Sequence, residues 1–178
     1  MALEQKTPFS RVLFALFVFL VPAVLFLRLE LPGLFSNGKD ILPGAVAPTF
    51  SLPDSSGHMR SLQDYLSKNK FVMLHFWATW CPTCNEEMPE VVELYRQLHA
   101  SGVEFVAVSV DHDPAELRAY VNQHGLEFPV LSDSANTVMD QYNVSYLPTT
   151  FLLGSDGRVV ARNIDIGQLP REIEKQRP

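Results

Sequence analysis

The sequence predicts an α/β domain: a mixed sheet flanked by helices, with an N-terminal β-hairpin and a central β-α insert, preceded by one transmembrane helix. Three observations predict it. Apolar runs of strand length at 71–77, 103–110 and 128–131 alternate with stretches whose apolar residues recur at helical spacing. Strands separated by helices of this length argue for a sheet covered on both faces. A charge-free run at 12–27 stands apart from all of this, near the N-terminus. The chain of 178 residues divides accordingly into an N-terminal membrane anchor (1–31), a tether (32–45) and a single folded domain (46–178). At about 130 residues, that domain is large enough for a proper core.

The apolar run contains 16 residues and is bracketed by Arg11 and Arg28. As a helix it spans roughly 24 Å, slightly short of a bilayer core of about 30 Å. Phe9, Leu29 and Leu31 extend it, and the arginines snorkel toward headgroups. Pro22 is tolerated in a membrane helix. A cleaved secretory signal is the rival reading, but no A-x-A site closes the run, and Ala45-Val46-Ala47 lies far downstream before Pro48. No cysteine follows the run to mark a lipoprotein. Lys6 and Arg11 oppose Arg28 and Lys39, a slim positive-inside bias. Pro32, Gly33, Asn37, Gly38, Pro43 and Gly44 give the tether its loop character.

Within the domain, Thr49-Phe50-Ser51-Leu52 and His58-Met59-Arg60 flank the turn-rich 53–57 and read as a hairpin. Ser61 is placed to cap a short helix running to Ser67. Residues 71–77 are almost wholly apolar, as a central strand covered on both faces requires. Met88, Val91, Val92, Tyr95 and Leu98 then form the buried stripe of a helix reaching about Ala100, with Pro89 inside it. After the strand 103–110, Asp111-His112-Asp113 reads as a helix start rather than a metal site. Asp113 caps, Pro114 takes the first helical position and Glu116 follows. That helix ends at His124-Gly125. A strand at 128–131, a short helix at 134–142, and a hairpin of 150–153 with 158–161 around Ser155-Asp156-Gly157 complete the assignment.

The chemistry is concentrated in Trp80-Cys81-Pro82-Thr83-Cys84, which contains both cysteines of the chain. The apolar strand delivers Cys81 to the start of a helix, where unpaired N–H groups and the macrodipole favour an anion. A cysteine so placed has its pKa lowered to roughly 3.5–7.5, and the thiolate is the nucleophile of disulfide exchange. The spacing allows Cys81 to attack and Cys84 to resolve. The pair is therefore read as a redox-active disulfide.

Phe76-Trp77-Ala78-Thr79-Trp80-Cys81-Pro82-Thr83-Cys84 resembles the active site of the thioredoxin superfamily. More narrowly, it is similar to the membrane-anchored bacterial branch that includes TlpA, ResA and CcmG. Ala47-Pro-Thr-Phe-Ser-Leu-Pro53 and Leu147-Pro148-Thr149-Thr150-Phe151 fit the same branch, so the likeness covers about 44–170. It implies a thioredoxin-like fold, with the insert at about 111–133 typical of the branch. Further implied are a cytoplasmic N-terminus and a single-pass inner-membrane location with the redox domain on the periplasmic or extracytoplasmic side. The activity implied is reduction of protein disulfides, including apocytochrome c during cytochrome c maturation, fed by an integral-membrane thiol donor. No organic cofactor or metal is required.

The resemblance also distributes roles. Pro148 occupies the position of a cis-proline beside the active site, leaving the Leu147 backbone free to pair with an extended substrate. Trp80 and Pro82 border the substrate, Trp80 offering an apolar contact, while Trp77 packs. Glu87, three residues after Cys84 and so on the same helix face, matches an acidic residue of the branch. It either holds and relays the proton of Cys84 or is a solvated glutamate. His75 departs from the pattern, standing where thioredoxins carry a buried Asp and the branch often an Asn. It is either the proton acceptor for Cys84 or a core residue bonded to backbone. The Pro-Thr dipeptide is similar to that of CcmG, but 143–150 lacks the Gly-x-Pro-Glu-Thr form of that group.

Composition excludes other classes. From residue 40 onward 18 acidic side chains face 10 basic ones, so nucleic-acid binding has no support. No second C-x-x-C or H-x(3–5)-H provides four zinc ligands. Two alternatives stand beside the reductase. A peroxiredoxin-like peroxidase would need Pro-x-x-x-Thr-x-x-Cys where this chain has His75-Phe-Trp-Ala-Thr-Trp-Cys81. A non-enzymatic binding or copper-delivery module would carry the dithiol incidentally. Glu86, Glu87 and Glu90 crowd the helix start; anions there disfavour a thiolate and tilt the couple toward reductant.

Overall fold

The computed structural model describes residues 41–176. Ser51–Pro53 (β1) and Met59–Ser61 (β2) pair antiparallel as the expected hairpin. Asp54 closes its turn, accepting from the amides of Ser56 and His58 and from the Arg60 guanidinium. Ser61 caps Leu62–Leu66 (α1), and its partner is Asp64, whose carboxylate returns a bond to the Ser61 amide.

Among the described residues the main sheet has five strands. Phe71–Trp77 (β3) lies at its centre, parallel to Val103–Ser109 (β4) and antiparallel to Thr149–Gly154 (β6). Val130–Ser132 (β5) extends it beyond β4, and Val159–Arg162 (β7) beyond β6. The helices are Pro82–Leu98 (α2), continuous through Pro89, Pro114–His124 (α3), Thr137–Gln141 (α4) and Leu169–Glu174 (α5).

Strand alternation sorts the core into two layers. Met73 and Trp77 of β3 face Cys84, Met88 and Val91 of α2, Leu117 of α3 and Leu169 of α5. Val72, Leu74 and Phe76 point the other way, onto Leu62 and Leu66 of α1, Val138 of α4 and Tyr142. The sheet is thus covered on both faces. By the same alternation, His75 belongs to the layer that holds the cysteines.

Several boundaries differ from expectation for local physical reasons. The buried face of α2 is Cys84, Met88, Val91, Leu94 and Tyr95, with Val92 and Leu98 only half-buried. The strand expected at 128–131 begins at Val130. Pro129 lends its carbonyl to the Ala107 amide at 2.9 Å but has no N–H to return. The helix expected at 134–142 narrows to α4 because the Asp133 carboxylate accepts from the Val138 and Met139 amides, making Asp133 the acceptor at its start. Glu116 lies in the first turn of α3, where the cap is Asp113 accepting from Ala115. Ile166–Gln168, a 3-10 turn, and α5 were not assigned from the sequence; Ile166, Leu169 and Ile173 bury them.

Part of the stretch read as a tether packs on the domain: Ile41 is buried, and Gly44 donates to the Val159 carbonyl. The transmembrane helix assigned to the 12–27 run lies outside the described residues. Among the described residues, no helix is long and apolar enough to cross a membrane.

Candidate active site

The last residue of β3, Trp77, accepts a hydrogen bond from the Val110 amide, and residues 78–80 then carry the chain to α2. Cys81 is the N-cap of that helix, in extended backbone with φ −86° and ψ 111°. Pro82 takes the first helical position, where its missing N–H costs nothing. The Cys84 amide donates to the Cys81 sulfur at 3.2 Å, and the Thr83 hydroxyl lies 3.4 Å from the same atom. Cys81 and Cys84 are joined in a disulfide with Cα atoms 5.3 Å apart.

Exposure separates the two sulfurs. Cys84 is fully enclosed, whereas Cys81 keeps 4% of its surface beside exposed Pro82 and Thr83 and by Trp80, which is 62% exposed. A partner therefore meets Cys81 first. Cys84 is placed to reach the Cys81 sulfur and nothing outside.

Across the sheet, Thr149 pairs with Phe76, which sets Leu147 and Pro148 at the end of β3 that leads to the cysteines. The Leu147–Pro148 peptide bond is cis. Leu147 packs partly against the layer containing both cysteines. Tyr146, absent from the sequence reading, is 53% exposed just before this bond, while its carbonyl accepts from the Thr149 hydroxyl. Trp80 and Tyr146 are thus the exposed aromatics of the two segments that converge on this end of the sheet.

Glu87 is not a solvated surface residue. It is half-buried, and its Oε2 is enclosed without a hydrogen-bond partner. Burial, then the charges of Asp165 and Glu90, raise its pKa above the ordinary carboxylate value, against a smaller opposing effect of a backbone bond from Ile166. The 3-10 turn Ile166–Gln168 and its cap Asp165 supply two of these neighbours, so a segment not assigned from the sequence contributes to the shift after burial.

His75 is fully buried, and its partner is a side chain rather than backbone: Nδ1 lies 3.0 Å from the Thr150 hydroxyl. Its Nε2 has no partner. Burial pushes its pKa down to about 4, so the ring is neutral at physiological pH. Trp77 is buried against Tyr120, with ring centroids 5.1 Å apart, as a packing residue.

The sequence reading also missed what holds the loop before Cys81. Asp111, read only as part of a helix start, is fully buried and accepts from the Thr79 amide and hydroxyl and from the Ser109 hydroxyl. No local pattern marks this, since Thr79 and Asp111 are 32 positions apart.

A model of the AhpC/TSA family matches residues 43–162. The thiol-disulfide oxidoreductase ResA of Bacillus thuringiensis (strain Al Hakam) is 39% identical over 132 residues, covering 74% of this chain and 75% of the relative. ResA of Bacillus subtilis (strain 168) is 40% identical over 126 residues, covering 71% and 69%. Among solved structures, the thiol:disulfide interchange protein DsbE of Chlorobium tepidum superposes with a TM-score of 0.69 at 29% identity, over 75% of this chain and 96% of that one. The peroxidoxin BcpB of Mycobacterium tuberculosis, at 23% identity and a TM-score of 0.68 over 78% and 99%, shares the fold. A sulfur at a helix N-cap with a second sulfur enclosed behind it is the arrangement disulfide exchange needs, and these likenesses agree with it: the chain belongs to the AhpC/TSA family and, within it, to the thiol-disulfide oxidoreductases of the ResA type.

Proposed function

We propose that this oxidoreductase is a membrane-tethered, extracytoplasmic reductase of protein disulfides. The Cys81 thiolate attacks a target disulfide, forming one mixed S–S bond and expelling one target thiolate. Cys84 then attacks the Cys81 sulfur, the second target thiolate leaves, and two electrons have passed from the pair to the target. An integral-membrane thiol donor restores the dithiol. Glu87 takes and returns the Cys84 proton; burial raises its pKa above the ordinary carboxylate value, which brings it closer to that of the thiol it serves. His75, at about 4, is too weak a base for that task and serves as a neutral hydrogen-bonded core residue.

The observation that carries this reading is the enclosed carboxyl oxygen of Glu87, one helical turn beyond the resolving cysteine. A buried carboxyl beside Glu90 and Asp165 disfavours thiolates nearby and so favours the disulfide, which makes the dithiol the stronger electron donor. The charge-free run at 12–27 supports the membrane tether, and a domain that begins soon after it would act at the membrane surface. The sequence likeness to haem-attachment reductases makes apocytochrome c the first target to look for.

Cys84→Ser in the intact chain, expressed in its own membrane, tests this. Mixed disulfides through Cys81 to extracytoplasmic proteins that normally carry paired cysteines are expected. Capture of cytoplasmic proteins alone, or of none, overturns the reading.

Membership of the AhpC/TSA family favours one second reading, a thiol peroxidase. Here Thr79 stands two residues before Cys81 rather than three, out of the register a peroxidatic cysteine requires. Retained peroxide turnover in Cys84→Ser would favour the peroxidase.

A further inference from the structure

The loop that presents Cys81 is held from both edges by residues that take no part in the exchange itself. On one edge, both carboxylate oxygens of Asp111 lie 3.1 Å from the Thr79 amide nitrogen, and Oδ1 also accepts from the Thr79 hydroxyl at 2.7 Å. Oδ2 accepts in addition from Ser109 at 2.6 Å, and the Asp111 amide donates back to that hydroxyl at 3.1 Å. On the other edge, the Thr79 carbonyl accepts from Nδ2 of Asn85 at 2.8 Å, and Oδ1 of Asn85 accepts from the Tyr120 hydroxyl at 2.9 Å. Tyr120 belongs to the insert helix α3, where its ring also stacks on His124 with centroids 4.0 Å apart.

Asp111 is fully buried, and a buried carboxylate is costly unless its acceptors are filled. Here they are filled by donors from Thr79 and Ser109. An apolar side chain would pack the space at less cost. What the carboxylate adds is a fixed place for the Thr79 peptide, two residues before the nucleophile. That place matters because the Cys81 sulfur is stabilised by a directional contact, the Cys84 amide at 3.2 Å, and such contacts weaken steeply with misalignment.

We infer that Asp111 and Asn85 are positioning residues for the exchange reaction: together they grip Thr79, hold Cys81 at the N-cap of α2, and tie the reactive loop to the insert helix through Tyr120. The inference rests on disulfide exchange at Cys81 and is indifferent to the target or the side of the membrane on which it occurs.

The test is the pH profile of Cys81 alkylation by iodoacetamide in the reduced full chain carrying Cys84→Ser, so that a single thiol reports. Thr79→Val and Asn85→Ala leave every ionisable neighbour in place: His75 on β3, Glu86, Glu87 and Glu90 on α2, Asp111 after β4, and Asp165 before the 3-10 turn. Each is expected to raise the midpoint by about half a unit and slow alkylation at pH 7 about threefold, because a displaced thiolate loses its amide donor. Asp111→Ala should move the midpoint the same way, although loss of a nearby negative charge alone would move it down. Asp111→Asn, which keeps one acceptor oxygen, should recover part of the effect. Circular dichroism checks that each variant is folded; should Asp111→Ala fail to fold, Thr79→Val and Asn85→Ala decide. An unchanged or lowered midpoint in those two overturns the inference, and a lowered midpoint in folded Asp111→Ala removes Asp111 from it. A parent whose Cys81 neither alkylates nor exchanges would instead count against the exchange reading.

Discussion

The amide of Cys84 donates to the sulfur of Cys81 across 3.2 Å, so the residue that resolves a mixed disulfide also steadies the sulfur that forms it. The helix start does this by geometry. Extended backbone at Cys81 turns its side chain back over the first turn, where the amides lack intrahelical acceptors.

Glu87 lies below this pair on the same helix face, with one oxygen enclosed. In its ionised form its charge opposes thiolates beside it. Glu87→Gln should therefore lower the titration midpoint of Cys84 by about half a unit or more, with a smaller shift at Cys81. Alkylation of each thiol followed by mass spectrometry across pH checks this; equal shifts, or none, contradict it.

The same carboxyl links stability to pH. Its folded pKa is raised, so the folded chain keeps the proton to higher pH than the unfolded chain does. The stabilisation is complete below the ordinary carboxylate value and is lost as pH rises through the raised folded value. Glu87→Gln should consequently match the wild type in acid and exceed it in melting temperature at neutral pH. Calorimetric scans at both pH values give the comparison.

His75 acts in the opposite sense. Its pKa falls from 6.5 in the unfolded chain to about 4 when folded. Its stability contribution is complete above 6.5 and is lost as pH falls toward 4, by roughly 3 kcal/mol in full. The wild type should lose more stability over that window than His75→Asn. Denaturation curves of the two proteins that stay parallel from pH 7 to pH 4 would refute the assignment.

Trp80 and Tyr146 are the large exposed aromatics on the two segments beside the disulfide. Replacing either by Ala should weaken reduction of a protein disulfide several-fold, mainly through KM, because apolar contact with the target is lost. Reduction of oxidised glutathione, too small to span both segments, should change little. Equal losses on the two substrates would assign the aromatics to the chemistry instead.

Legibility followed sequence distance. Ser61, Asp113 with Pro114, and Gly125 announced helix ends because caps act within a few residues. The central strand and the Cys81 N-cap were equally local. His75 and Thr150, by contrast, are 75 positions apart and meet because β3 and β6 pair in register. Nothing near His75 in the chain names that partner. Asp111 was read for its neighbours in sequence, whereas its contacts to Thr79 arise from the parallel pairing of β3 and β4. Beyond its burial, the shift at Glu87 draws on Asp165 and Ile166, at a 3-10 turn that with α5 buries three apolar residues, too few to give a firm period.

The most direct measurement is a quenched reaction of the reduced full chain with a protein disulfide, in wild type, Cys81→Ser and Cys84→Ser, with the covalent adducts identified by mass spectrometry. Wild type should pass both electrons and release the target, Cys84→Ser should stall as an adduct at Cys81, and Cys81→Ser should form none. An adduct through Cys84 at the wild-type rate, or target reduction by Cys81→Ser, would contradict the account.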